Sequence, residues 1–93
     1  MEIRDLEEFL AVLTHGSLLR AAEDLGIAQP GLSRRMQALE RTLGVQLLTR
    51  SSQGVTVTVY GSLLEQHARL VLRDRQTALD ELLALRDGVL GRA

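Results

Sequence analysis

The sequence predicts a mainly α-helical fold in which three short helices and a β-hairpin precede one long helix. Three observations carry this. Apolar residues recur at helical spacing over three successive segments before Gly44, with Gly-containing breaks between them. Two β-rich runs, Val45–Arg50 and Val55–Thr58, flank the polar loop Ser51-Ser52-Gln53-Gly54, the pattern of a hairpin. From Val59 onward no proline interrupts the chain for roughly 30 residues, about 45 Å of helix.

The first helix covers residues 3–14, where Ile3, Leu6, Phe9, Leu10 and Leu13 share a core-facing stripe. His15-Gly16 ends it, and Ser17 is an N-cap for the next helix. That second helix spans Leu18 to Leu25, with Leu18, Ala21, Ala22 and Leu25 inward; the two alanines allow two helices to cross closely. Arg20 points outward near its start, within reach of a phosphate. Gly26 supplies the positive φ that a residue with a Cβ adopts reluctantly. Pro30 suits only the first turn of a third helix, expected over Gln29 to Leu43 and stopped by Gly44.

The third helix sorts its residues by chemistry. Leu32, Met36, Leu39 and Leu43 fall on one stripe, whereas Gln29, Ser33, Arg34 and Gln37 look outward. Arg bonds guanine bidentately, Gln does so with adenine, and Ser serves either. Two helices about a glycine turn with this outer face read as a helix-turn-helix whose second helix enters a major groove. A hairpin directly after such a helix is a wing. Ser51, Ser52 and Gln53 would then rest on phosphates or reach a minor groove, while Leu47 and Val57 cover the core.

Thr58 can cap the last helix, expected from Val59 to Val89. Leu64, Ala68, Val71, Arg75, Ala78, Leu82, Leu85 and Val89 alternate at spacings of four and three, a coiled-coil seam with one charged interruption. Leu64, Val71, Ala78, Leu82 and Leu85 are therefore expected to pair with a second copy in a two-fold homodimer. A second stripe, Tyr60, Leu63, His67 and Leu70, is expected to pack on the three-helix core. The division is then a winged helix-turn-helix over 1–58 and a linker and dimerisation helix over 59–93.

Composition narrows the function. The chain is 93 residues, 45% hydrophobic and 2% aromatic, so the core is aliphatic and stacking on single-stranded nucleic acid has little to work with. A formal net charge of −1 does not announce a nucleic-acid partner, but its distribution is uneven. Residues 1–15 carry Glu2, Asp5, Glu7 and Glu8 against Arg4, whereas residues 28–54 carry Arg34, Arg35, Arg41 and Arg50 against Glu40. The absence of cysteine excludes disulfides and thiolate metal sites. His15 and His67 have no ligand spacing and no nucleophile partner, and no phosphate-binding glycine motif is present, so neither a metal site nor catalysis is expected. The acidic, amphipathic N-terminus differs from a signal peptide, and no apolar run approaches about 18 residues, so a cytoplasmic location is expected.

The motifs Ala21-Ala22-x-x-Leu25, Gln29-Pro30-x-Leu32-Ser33-Arg34, Leu39-Glu40-x-x-Leu43-Gly44-Val45-x-Leu47-Leu48-x-Arg50 and Thr58-x-x-Gly61 resemble the N-terminal domain of LysR-type transcriptional regulators, in order and spacing and over essentially the whole chain. The resemblance implies a winged helix-turn-helix on a long dimerisation helix, binding inverted-repeat promoter sites. It makes Gln29, Pro30, Ser33 and Arg34 major-groove readers and Ser17, Arg20 and Arg50 backbone contacts, with the wing along the adjacent minor groove. It also implies that this chain is the DNA-binding part of a longer regulator. There a further domain would bind a small-molecule effector within an oligomer, commonly a tetramer; no cofactor is expected in this chain.

Three positions depart from the family pattern. Ala28 stands where Ser or Thr usually precedes the Gln-Pro pair, which removes a side-chain N-cap worth about 1 kcal/mol. The wing loop lacks the usual extra Arg or Lys, leaving Gln53 as the substitute in a minor groove. Val59-Tyr60 replaces a small or acidic pair before Gly61, where Tyr60 adds packing. The alternative function is a winged-helix interaction module without specific DNA binding. The polar set Gln29, Ser33 and Arg34 discriminates against it, since an interaction face favours apolar anchors.

Overall fold

The computed structural model describes residues 1–88. Its elements are α1 (Ile3–His15), α2 (Leu18–Leu25), α3 (Gln29–Leu43), β1 (Leu48–Ser51), β2 (Gly54–Val57) and α4 (Val59–Arg86). One core gathers Phe9, Val12, Leu18, Ala21, Ala22, Leu32, Met36, Leu39, Leu47 and Leu48. Val12 joins the stripe expected of the first helix, and Leu43, expected on the inner stripe of the third, is 39% exposed. Phe9, Leu32, Met36 and Val12 are its largest fully buried side chains. Ala21 and Ala22, at 0% and 1% exposure, let α2 sit close against its neighbours. Gly26 ends α2 at φ 70°, and its N–H returns to Ala22 and Glu23 carbonyls, so the chain turns at once into α3.

The hairpin is antiparallel, with Leu48 opposite Val57, Thr49 opposite Thr56, Arg50 opposite Val55 and Ser51 opposite Gly54. β1 begins three residues later than the sequence pattern implied, because the backbone of 46–47 is already engaged. The Glu40 carboxylate accepts the N–H groups of Leu47 (2.7 Å) and Leu48 (3.1 Å). The Leu47 carbonyl accepts the Thr58 N–H at 3.0 Å, and the Gln46 carbonyl accepts the Thr58 hydroxyl. Glu40 thus locks the end of α3 to the start of the wing with charge-assisted bonds, each worth about 1.5–3 kcal/mol.

The same junction sets the roll of α4. Thr58 Oγ1 caps α4 by accepting the Gly61 N–H at 3.1 Å. Gly61 lies so close to the Leu47 carbonyl that any Cβ there would collide with it. With Gly61 inward, the residues one and two turns on follow: Leu64 is half-buried against the core and Ala68 is 1% exposed. This corrects two expectations. The stripe of Tyr60, Leu63, His67 and Leu70 does not pack on the core; Tyr60, Leu63 and Leu70 are 53–56% exposed and His67 is also exposed. Leu64, assigned to the dimer seam, packs within its own chain. Beyond Leu72, α4 stands clear of the domain, giving the chain extents of 56 × 26 × 21 Å. Val89, the last seam position, lies outside the described residues.

Candidate nucleic-acid interface

α3 exposes Pro30, Arg34 and Gln37 to solvent, with Gln29 and Ser33 half-buried beside them. Arg34, Gln37 and Arg41 fall three and four residues apart, on the side opposite Leu32, Met36 and Leu39. Arg41 was not singled out as a contact from the sequence, although the same periodicity marks it. No side-chain bond caps α3 at Ala28; Pro30 has no N–H, and the Gly31 N–H donates to the Ala28 carbonyl at 3.1 Å.

Two polar depressions border this helix. On the wing side, Gln37, Glu40, Gln46, Leu48, Thr49 and Arg50 line a groove of about 370 Å³ between α3 and β1. There Arg50 Nη1 donates to Ser33 Oγ at 3.0 Å, which brings a proposed backbone contact and a proposed base reader into one unit. On the α2 side, His15, Gly16, Ser17, Arg20, Ser52, Gln53 and Gly54 line a cleft of about 390 Å³. The cleft is held by the Val55 N–H donating to the Gly16 carbonyl at 3.0 Å, which docks the wing on the turn before α2. Ser17 Oγ accepts the Arg20 N–H at 3.2 Å, and so keeps its own hydroxyl proton for another acceptor. In the loop, Ser51 Oγ accepts the Gln53 N–H, holding the turn tight. Ser17, Arg20, Ser52 and Gln53 therefore meet in space although 32 residues separate Arg20 from Ser52 in the chain.

The charges sort by partner. Among the described residues Arg20, Arg34, Arg41 and Arg50 make no ion pair, whereas Arg69 pairs with Glu65 and Arg86 with Asp87. Arg35, next to Arg34, is turned inward: its Nε lies 3.0 Å from both carboxylate oxygens of Glu8 on α1. No local pattern marks this pair, because its members are 27 residues apart. Glu40, the acid within the basic segment, is likewise consumed by backbone N–H groups. What remains outside is a set of free guanidiniums, hydroxyls and amides able to donate to phosphate and base edges. No group of three or more His, Asp or Glu among the described residues is placed to hold a metal ion.

The chain matches the family model for bacterial regulatory helix-turn-helix proteins of the lysR family over residues 3–62. It belongs to the LysR family. A LysR-family relative, the SDS degradation transcriptional activation protein of Pseudomonas sp. (strain ATCC 19151), is 41% identical over 92 residues, covering 96% of this chain and 30% of the relative. The chain thus spans about a third of the length of such relatives. Its fold matches the solved BenM_DBD/catB site 1 DNA complex with a TM-score of 0.93 at 38% identity, over all of both chains. It matches the CbnR_DBD-DNA complex with a TM-score of 0.85 at 40% identity, over 92% of this chain and 99% of that one. The winged-helix architecture of this LysR-family chain is therefore the one in which those two domains were captured on DNA.

Proposed function

We propose that this chain is the DNA-binding and dimerisation part of a LysR-type transcriptional regulator, reading an inverted-repeat site in double-stranded DNA as a homodimer. The observation that carries this is the outer stripe of α3: Arg34, Gln37 and Arg41 are exposed and unpaired, while the neighbouring Arg35 and Glu40 are tied up internally. The helix enters the major groove with Gln29, Pro30, Ser33, Arg34 and Gln37 at base edges. Ser17, Arg20 and Arg50 hold phosphates on either side. Ser51, Ser52 and Gln53 lie along the adjacent minor groove. An interaction module would need apolar anchors on this stripe, and α3 offers Arg34, Gln37 and Arg41 there instead.

We assign residues 1–58 to reading and the segment from Val59 onward, helical over Val59–Arg86, to pairing. Pairing uses the face of α4 that stands clear of the core, with Val71, Leu82 and Leu85 at 43%, 64% and 54% exposure and Ala78 between them. Two copies related by a two-fold axis then present two α3 helices to two half-sites. In a longer protein, regulation by a small-molecule effector and assembly to a tetramer would act through this helix. No chemistry is assigned to the chain, and its place of action is the cytoplasm, where the DNA is. Among the described residues no helix is long and apolar enough to cross a membrane.

In-vitro selection of random duplexes by the purified 93-residue chain at physiological salt tests this reading. Enrichment of an inverted repeat is expected, with half-site centres about one helical turn or a multiple apart. A single enriched half-site would discard the dimer geometry. No enrichment, with binding no tighter than to random DNA, would overturn the function.

A further inference from the structure

Glu8 is the one charged residue among the described residues that is buried, at 4% exposure. It sits on α1, outside every motif that points to DNA, and both its oxygens are 3.0 Å from Arg35 Nε on the reading helix. The geometry points to Glu8 as a positioning residue for sequence readout: by holding Arg35 inward it fixes the roll of α3, and so places Arg34 at the base edges. This rests on the DNA-binding reading above.

Three side-chain ties join α3 to the rest of the chain among the described residues. Ser33 accepts from Arg50, Glu40 accepts from the Leu47 and Leu48 backbone, and Arg35 donates to Glu8. The first is exposed and its two members are themselves proposed DNA contacts, so it is remade on binding. The second lies at the far end of the helix. Everything else that holds α3 is aliphatic contact through Leu32, Met36 and Leu39, which is non-directional and, for Met, adaptable. No side-chain cap fixes the start of the helix. The Glu8–Arg35 tie, part-buried with Glu8 itself buried, is therefore the directional constraint within one turn of the reading residues that is not itself a proposed DNA contact.

Arg34 and Arg35 are adjacent and chemically identical, and their side chains leave the helix about 100° apart. The apolar stripe of Leu32, Met36 and Leu39 sets which side of α3 faces in, and Glu8 narrows the remaining freedom of roll through Arg35. The required precision is high. A roll of about 10° moves an atom at the helix surface, 5–6 Å from the axis, by about 1 Å. A bidentate contact to a base tolerates about half that.

The test compares affinity for the selected operator with affinity for random duplex, using the 93-residue chain. Glu8→Leu removes the tie and leaves the Arg35 guanidinium, 37% exposed, to turn to solvent, so a lower melting temperature accompanies it and the readout is the affinity ratio of the folded protein. The operator-to-random ratio is expected to fall about tenfold, the scale of one lost base contact. Affinity for random DNA should not fall below the parent value, since no cation is lost. Glu8→Gln, which keeps one of the two acceptors, should lose about threefold and serves if Glu8→Leu does not fold. In the double variant Glu8→Gln/Arg35→Gln the Gln Nε2 stands at the same bond count from the backbone as Arg Nε. It can remake a neutral tie, and the ratio should return to within about threefold of the parent. A purely structural pair would lower the melting temperature and leave the ratio of the folded protein intact, which overturns the inference. A fall in random-DNA affinity and salt slope in the double variant would make Arg35 a phosphate contact and overturn it as well. Failure of the parent chain to prefer any operator would instead strike the DNA-binding reading itself.

Discussion

Gly61→Ala should destabilise the domain, although alanine is the better helix former. The substitution lies in the first turn of α4, where a Cβ would collide with the Leu47 carbonyl oxygen and lie 3.0 Å from the Leu47 carbonyl carbon and 3.2 Å from Val57 Cβ. The obstacle is mostly backbone, and that backbone is fixed. Leu47 donates to Glu40 and accepts from Thr58, whose hydroxyl caps the Gly61 N–H. Relief therefore means lifting α4 off the hairpin. Overpacking of this kind costs about 1–3 kcal/mol, and loss of the Thr58 cap adds about 1 kcal/mol. The gain in helix propensity returns about 1 kcal/mol. The net loss is about 1–3 kcal/mol, which for a domain of this size lowers the melting temperature by roughly 5–20 °C. Far-UV circular dichroism melts at one protein concentration measure it, since any dimer makes the midpoint concentration-dependent. Gly31→Ala is the internal comparison: Gly31 is helical, with nothing within 4 Å of its would-be Cβ, so that variant should gain about 0.4–1 kcal/mol. If Gly61→Ala melts at or above the parent, the assignment of α4's roll to this contact is wrong.

Three further outcomes are expected. Arg34→Ala should cost about 1–3 kcal/mol on the selected operator and much less on random DNA, read by fluorescence anisotropy; an equal loss on both would make Arg34 a phosphate contact. Arg50→Ala should weaken all sequences alike and reduce the slope of log affinity against log salt by about 1; an unchanged slope removes Arg50 from the backbone contacts. Leu82→Asp should give a folded monomer in sedimentation velocity, whereas Leu64→Asp should lower the melting temperature because Leu64 packs on its own core; a dimeric Leu82→Asp protein refutes the pairing face.

The helices were legible from the sequence because their signals are local. Apolar periodicity, Ser17 and Thr58 at N-caps and glycine at the stops lie within a turn or two of the boundaries they define, and α2 and α3 have the bounds so read. Of the outward set on α3, the exposure of Arg34 and Gln37 was legible for the same reason, whereas Gln29 and Ser33 are half-buried. What escaped depended on distant partners. α4 carries apolar residues on more than one face, so both of its stripes satisfied helical spacing; the Gly61–Leu47 contact chose between them. The start of β1 shifted because Glu40 and Thr58 claim the backbone before it. The inward turn of Arg35 needed Glu8, an acid that composition counted only as part of an acidic N-terminus. The wing cleft needed the docking of Val55 on Gly16 to bring Arg20 within reach of Ser52 and Gln53.

That last group of facts explains how a chain of net charge −1 can present a DNA-binding face. Exposed charges are screened beyond about 8–10 Å at physiological salt, so the field at a surface follows the local inventory rather than the total. Here folding edits the inventory. Glu8 is buried on Arg35, and one carboxylate oxygen of half-buried Glu40 is turned to two backbone N–H groups, so one acid is withdrawn from the face of Arg34, Arg41 and Arg50 and the other in part. On α4, by contrast, Glu65 and Asp87 neutralise Arg69 and Arg86 locally. The acids that the sequence places near the reading helix are spent on positioning it, and the arginines left over are free to bind. On the proposed reading, specificity and affinity draw on different residues of one short segment: Arg34, beside an Arg35 held by Glu8, for the base edges, and Arg50, whose other N–H donors are not used on Ser33, for a phosphate.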